Sequence, residues 1–562
     1  MLFEFTRCLL LFTLLTLGLG WPLAGRLPLA PLEKLVASLV CSLIALWLAG
    51  WLLYTCSLPW SLLWLLPPLA AAGLFWRRSE LVTLLRDHSA RAGLLAQGLV
   101  TMWCLGWLSL VQNYSGGGWT SDWFEHWERA LFFLHRAPAD QLFLGLYPLT
   151  ARPPLENIVT AACLHLTTED FAHYQLFSTL LSSLVFLPAA LLVTRWSPER
   201  TAVAVLAVLF MVNPLFVQNT VFPWTKLPAA LLVLAALHFF LRHHDGHAPR
   251  VTALLFSTAL AAALLTHFSA APYALALGLG WLLWRPPGAS RAEFVRITVL
   301  AAGAGALLLA TWFGWAFATY GVSGTLSTNT SVTTVAADAG GQFLRVLLNL
   351  RDTLVPHFLR SPDPALIEQT SPWGYVRDWF FQSYQLNLPL AFGSVAWLAV
   401  LREAWRLQRT VPPDVRVFWA GFGFVVIGLG VAAHGARDVW GLTHICLQAL
   451  VLLGLALLAA RWRLLGRGWQ RALIAGATLD LAAGIALHFA VQHHTLDRWL
   501  TPERTAMEIT ASYNPQTLKN LIGLMVNRLD TFHNVFAPPA ALVAGLLTLL
   551  LLTALYRARS TT

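Results

Sequence analysis

Between residues 113 and 170 the chain carries Asp122, Glu125, Glu128, Asp140, Glu156, Glu169 and Asp170, a dense acidic run in a sequence of which only 11% is charged. A carboxylate can take the proton of a hydroxyl, and a nearby Arg or Lys can receive a departing oxyanion. Arg129 and Arg152 lie in the same stretch, and Lys226 heads a later apolar run. Gly116–Gly118 free the backbone to turn out of the preceding apolar segment. From Trp119 to Leu134 the period is helical, with Trp123, Trp127, Leu131 and Leu134 at steps of three and four. Asp122, Glu125 and Arg129 share the opposite face. The spacing predicts an amphipathic helix at a membrane surface, aromatic side in lipid and carboxylate side outward. A solvated helix anchored by Trp fits the same spacing.

The elements that must position these residues are membrane helices. The 562 residues are 57% hydrophobic, and apolar runs recur near 8–24, 35–56, 60–76, 94–112, 172–194, 201–218, 227–242, 251–266, 271–284, 295–319, 386–401, 417–434, 441–460, 471–490 and 537–556. Most are long enough to span ~30 Å of hydrocarbon, so the expected class is an all-α polytopic membrane protein with about 14–15 transmembrane helices. The 26 Trp suit interfacial belts. Cys8–Leu19 has the length of a signal-peptide core but lacks a basic flank, so it reads as a retained helix. The six Cys show no paired spacing for a disulfide framework or zinc site.

The short loops WRRSELVTLLRDHSAR, RWSPER, RHHDGHAPR, RPPGASRAEFVR, LREAWRLQRTVPPDVR and RWRLLGRGWQR are all basic. Alternating helices put them on one side, which the positive-inside rule makes cytoplasmic. The net charge of +10 is thus a topology signal and excludes no more than a nucleic-acid reading. The other side receives three long loops, 113–170, 321–385 and 491–536. In the second, an amphipathic segment carries Arg345, Arg351, His357 and Arg360, which could equally meet lipid headgroups. A later polar cluster, His434, Arg437, Asp438, His444 and Gln448, fits headgroup or acceptor contact, or a structural polar cap. Asp480, in the middle of an apolar run, reads as a buried hydrogen-bonding acid.

One ordered set of residues resembles a known family. Asp122, His126 four residues on, Ala130 at plus eight, then Arg152-Pro153-Pro154-Leu155 and Glu169-Asp170 follow the pattern of the GT-C superfamily of membrane glycosyltransferases. The branch resembled is that of protein O-mannosyltransferases and aminoarabinose transferases (glycosyltransferase family 39-like). The segment NPLFVQNTVFPWTKLPAALLVLAALHFF is similar to that family's third-to-fourth core helix connection, and the likeness covers roughly residues 90–320. It implies a GT-C-like bundle: N-terminal helices 1–92 of unassigned role, a catalytic module 93–320 bearing the loop 113–170, and C-terminal helices 321–562.

It further implies an inverting transfer of sugar from a polyprenyl-phosphate donor to a glycan, lipid or protein hydroxyl, on the extracytoplasmic side of a bacterial inner membrane. Asp122 would be the base, with Glu125 its rival; Glu125, His126, Glu169 and Asp170 would support the acceptor. Arg152 and Lys226 would hold the donor phosphate, with Arg351, Arg360 and Arg437 in reserve, and His434, His444 and Gln448 would form a second polar cluster. Where many relatives carry an acid in the later connection, this chain has Gln218, Asn219, Thr220 and Lys226. No cofactor is therefore expected, and a divalent metal is not indicated. Membrane lipid is an expected partner and nucleic acid is not. The alternatives are a transporter or flippase of lipid-linked sugars, or a non-enzymatic membrane protein of polysaccharide assembly.

Overall fold

The computed structural model describes residues 1–111, 122–143, 147–199, 201–328, 392–432, 447–499 and 530–546, with isolated positions between 347 and 379. Among these the regular structure is helical. In chain order α1 (Leu2–Thr13), α2 (Trp21–Ala24), α3 (Pro31–Thr55), α4 (Leu66–Trp76), α5 (Arg78–Arg86) and α6 (His88–Leu108) precede the acidic stretch. That stretch holds α7 (Asp122–His135) and α8 (Leu155–His165). Then come α9 (Phe171–Ser183), α10 (Phe186–Trp196), α11 (Ala202–Val212), α12 (Pro214–Val221), α13 (Lys226–His244), α14 (Pro249–Thr266), α15 (Ala271–Leu283) and α16 (Arg291–Leu326). The C-terminal part contributes α17 (Phe392–Leu407), α18 (Pro413–Ala432), α19 (Gln448–Ala460), α20 (Arg467–Trp499), α21 (Phe532–Val535) and α22 (Ala537–Leu546).

This is the all-α, multi-pass architecture expected from the apolar runs, each of which contains a described helix. Among the described residues seven spans, α9 and α10 together making one, are long and apolar enough to cross a membrane, or eight when the bent pair α11–α12 counts as one. The α9–α10 run is wholly buried and forms the central post, whereas α16 and α18 leave most of their apolar surface outward, as lipid-facing helices do. The pair α11–α12 bends by 68°. Pro214 has no N–H to continue the first helix, and the Asn213 side chain accepts from the Phe216 amide at 2.9 Å to start the second. Asp480 is buried and accepts from the Phe392 amide at 2.9 Å, capping the start of α17. A mid-span acid is tolerated where it has such a donor.

Helix ends collect on two faces. On one, Arg195 pairs with Asp245, Arg463 with Glu199 at 3.0 Å, Arg461 with Glu403 at 2.8 Å, and Trp284 donates to Asp414 at 3.0 Å. All belong to the basic loops or the helix ends beside them. On the other face lie α7, α8 and the starts of α9 and α13. The N-terminal helices are bound into the same bundle. Glu33 of α3 pairs with His238 at 3.0 Å and Arg242 at 2.6 Å. Trp47 donates to Thr311 at 3.1 Å, and Arg136 reaches the Leu53 carbonyl at 3.1 Å.

Gly20 sits where α2 crosses α3. Its amide donates to Ser42 Oγ at 2.7 Å, and a Cβ there would collide with the Ser38 carbonyl oxygen. Gly98, in α6, has open space around the same position. Gly20→Ala should lower stability by about 1–3 kcal/mol through overpacking. Gly98→Ala should be neutral or raise it by roughly 0.5–1 kcal/mol. Melting temperatures of the two purified variants check this, and equal effects would refute the crossing.

Candidate active site

Helix α7 has the predicted period, but its polar side is not outward. Glu125, His126, Glu128 and Arg129 are all buried, as are Phe132 and Phe133 on the same helix. The expectation of a carboxylate face turned to solvent is therefore corrected: α8, α3, Phe143 and residues 147–152 cover it. Charges taken out of water must be paired, and here they are. Arg129 Nε donates to Glu125 Oε1 at 2.8 Å, its Nη1 to the Leu149 carbonyl at 2.9 Å and its Nη2 to the Pro148 carbonyl at 3.3 Å. The guanidinium also stands 4.2 Å from the Phe143 ring centroid. Burial pushes the Glu125 carboxyl upward, but the charges of Arg129 and Arg152 outweigh it and hold it at about 2.

The loop so pinned carries Arg152. Thr150 Oγ1 fixes it further by donating to the Gly324 carbonyl at 2.7 Å. Arg152 lies 5.2 Å from the Tyr147 ring centroid and donates to the Ala151 carbonyl at 3.2 Å. Among the described residues it makes no ion pair. Lys226 begins α13, buried, with Nζ 3.6 Å from the Trp224 ring centroid. Beside it, the Thr225 hydroxyl is buried without a partner among the described residues.

His267, which sequence reasoning passed over, joins these two cations. It ends α14, and its Nδ1 accepts from the Ser269 amide at 3.0 Å. That leaves the proton of the neutral ring on Nε2. Burial, then the positive charges of Arg152 and Lys226, keeps its pKa well below the usual value. Arg152, Lys226, His126 and His267 thus share one electrostatic neighbourhood. A lone His at the end of an apolar run was the only signal in the sequence.

Two more side chains went unpredicted in role. Asn157 Nδ2 is 3.1 Å from His126 Nδ1 and donates to Glu156 Oε2 at 3.0 Å. Burial presses His126 down to about 3, so its ring is neutral. Burial raises the Glu156 carboxyl to about 8, and its Oε1 has no partner among the described residues.

The other sequence candidates are distributed as follows. Asp122 is the first residue of α7, and its side chain lies outside the described residues, as do Arg351, Arg360, His434, Arg437 and His444. Glu169 Oε2 is 2.9 Å from His135 Nε2, and its carbonyl accepts from Trp127 at 3.2 Å. Asp170 caps α9, accepting from the His173 amide at 2.9 Å and lying 2.7 Å from its Nδ1. Gln448 donates to Asn219 at 2.9 Å, which brings the later polar cluster's last member to the connection before Lys226. Among the described residues one group, Glu4, Cys8 and His173, puts three potential metal-ligating atoms within 4.8 Å of one another. Arg7 occupies both Glu4 oxygens, at 2.9 and 2.6 Å.

No family model matches the chain, and no curated protein does. Among solved structures it is similar to the crystal structure of ArnT from Cupriavidus metallidurans bound to undecaprenyl phosphate. The TM-score is 0.43 and the identity 13%, over 80% of this chain and 77% of that one. At that identity residue roles do not pass from one chain to the other.

Glu156 gives the site a pH signature. Its folded pKa, about 8, stands above the ordinary carboxyl value of about 4.3. The stability tied to the neutral acid is therefore complete below that ordinary value and is lost as pH rises through 8. Gln does not titrate. The melting temperature of Glu156→Gln relative to the parent should climb between about pH 5 and pH 8.5; a constant gap would contradict the buried neutral acid.

Proposed function

We propose that this protein is an integral membrane glycosyltransferase of the inverting GT-C type, moving a sugar from a polyprenyl-phosphate carrier to an acceptor hydroxyl. The observation that carries this reading is the meeting of Arg152, Lys226 and His267 at one end of the bundle, beside the buried Glu125–Arg129 pair. A guanidinium with no carboxylate partner among the described residues and a Lys at a helix start suit a phosphate that gains charge as its bond to the sugar breaks. The positive-inside rule assigns that end to the extracytoplasmic face, in a bacterial inner membrane, where a lipid carrier replaces a nucleotide sugar.

In the reaction, the acceptor oxygen bonds to the anomeric carbon while the bond from that carbon to the phosphate oxygen breaks. The hydroxyl proton passes to a base, and the phosphate leaves with the bonding electron pair toward Arg152 and Lys226. His267 Nε2–H adds a neutral donor. Of the two acids weighed as base, Glu125 is held at about 2 and bonded to Arg129, a weak base by comparison with a group poised near working pH. Asp122, one helical turn earlier, is the base in this reading, and the chemistry needs no metal. A transporter would require polar groups at mid-span; the acid that the sequence puts there, Asp480, is engaged by the Phe392 amide at 2.9 Å.

Transfer from a labelled polyprenyl-phosphate sugar, in membranes, tests the proposal. Asp122→Asn should fold and bind donor yet lose about 10²–10⁴-fold in turnover. Arg152→Gln should weaken donor use, with Arg152→Lys intermediate because charge remains while the fork is lost. Normal turnover in Asp122→Asn would remove the base from α7's first residue, and no transfer by the parent with any such donor would end the reading.

The same assay after chelation should retain activity. A sharp loss restored by a divalent ion would overturn the metal-free chemistry.

A further inference from the structure

A cavity of about 1190 Å³ opens among α3, α10, α13, α17, α18 and α19, on the face that carries the basic loops. It is separate from the candidate active site. Lys226 and Arg242 lie at opposite ends of α13, sixteen steps apart, or about 24 Å at the helical rise. Its volume exceeds the roughly 300–1,000 Å³ of ordinary small-molecule pockets.

The walls and the mouth differ in chemistry. Leu191, Val400, Leu453 and Leu457 line the deep part. At the mouth stand Arg195, Arg242, Arg416 and Arg461. Three of these are matched by carboxylates: Arg195 by Asp245, Arg242 by Glu33 and Arg461 by Glu403. Arg416 is not; among the described residues its one bond is to the Val411 carbonyl, at 3.5 Å. One unmatched guanidinium therefore faces the opening. Around it lie Trp196, Trp284, Trp397 and Trp419, a residue type that sits at headgroup level. Trp397 Nε1 is buried with no partner among the described residues, and so is Nδ1 of His238, which is only 2% exposed.

We infer that this cavity is a binding site for one anionic phospholipid, its acyl chains between α10, α17 and α19 and its phosphodiester at Arg416. The deep apolar walls fit acyl chains, which a free phosphate would leave unmet. The lining sets Arg195, Arg242, Arg416 and Arg461 against Glu33, Asp87 and Asp245, and Arg416, which has no carboxylate partner among the described residues, fits a headgroup with one net negative charge. Basic pockets between spans on this side of a membrane favour such lipids. The lipid fills the gap between α3, α10 and α13 on one hand and α17–α19 on the other. This inference is independent of the transfer reaction.

The test uses the full-length protein, delipidated in detergent, with phosphatidylglycerol, phosphatidylcholine or inorganic phosphate added. Binding is read by native mass spectrometry and by melting temperature. One phosphatidylglycerol per chain should bind, roughly fivefold more tightly than phosphatidylcholine, as expected for about 1 kcal/mol per surface charge. Phosphate alone should not raise the melting temperature. Arg416→Gln should erase the preference and Arg416→Lys should keep it. Leu457→Trp, which fills the chain-binding part, should weaken both lipids. Equal binding of the two lipids by the parent, an equal shift with phosphate alone, or a preference unchanged in Arg416→Gln would each overturn the site. Should Arg416→Gln not fold, the Leu457→Trp and Arg416→Lys arms decide it.

Discussion

Glu125 and Arg129 are one turn apart on α7 and have almost no access to water. Removing either partner would strand a buried charge, at a cost of about 3–5 kcal/mol, so each holds the other in place. The guanidinium has donors left over after meeting the carboxylate, and it gives them to the carbonyls of Pro148 and Leu149. That is how the short 3-10 turn Leu149–Ala151 is held in place, and Arg152 at its end acquires a fixed address. Glu125 acts on Arg152 only through its field, its hydrogen bond going to Arg129, and among the described residues Arg152 makes no ion pair of its own. A cation is left poised at the end of the bundle because an ion pair next to it is closed.

What the sequence disclosed follows from which physical signals are local. Apolar runs and basic loops are summed over many residues, so the helices and their alternation between two faces could be read directly. Arg152 and Lys226 could be picked out through the resemblance, Arg152 in Arg152-Pro153-Pro154-Leu155 and Lys226 in the later connection. The orientation of α7 could not. Three- and four-residue spacing shows that Asp122, Glu125 and Arg129 share a face, but not what covers Glu125 and Arg129, and α8, Phe143 and residues 147–152 are that cover. His267 was hidden for the same reason: its partners in the site are 41 or more positions away in the chain, Lys226 being the nearest. Glu156 looked like one more loop acid, and only burial turns it into a neutral one.

The bundle uses its long spans as separators. α13 carries Lys226 at one end and Arg242 at the other, with an almost wholly buried apolar column between them. Each end therefore assembles its own polar network from neighbours that differ completely. At one, the networks involve the α7–α8 region and the end of α14; at the other, the N-terminal α3 supplies Glu33 to both His238 and Arg242. The first helices, which carried no recognisable chemistry in the sequence, are in this way part of the wall that makes the second end.

The bend between α11 and α12 has a consequence for the wall beside Lys226. Eight residues tilted by 68° climb only about 4 Å along the first helix's axis, where a straight continuation would climb about 12 Å. The wall beside Lys226 is correspondingly lower than its straight neighbours, and the link Phe222–Thr225 that completes it is non-helical backbone kept from lipid by burial. Such backbone is tolerated at that depth only under protein cover or against a polar cavity. Pro214–Val217 and Asn219–Val221 are buried, so the low wall is closed toward the membrane by protein and not by acyl chains.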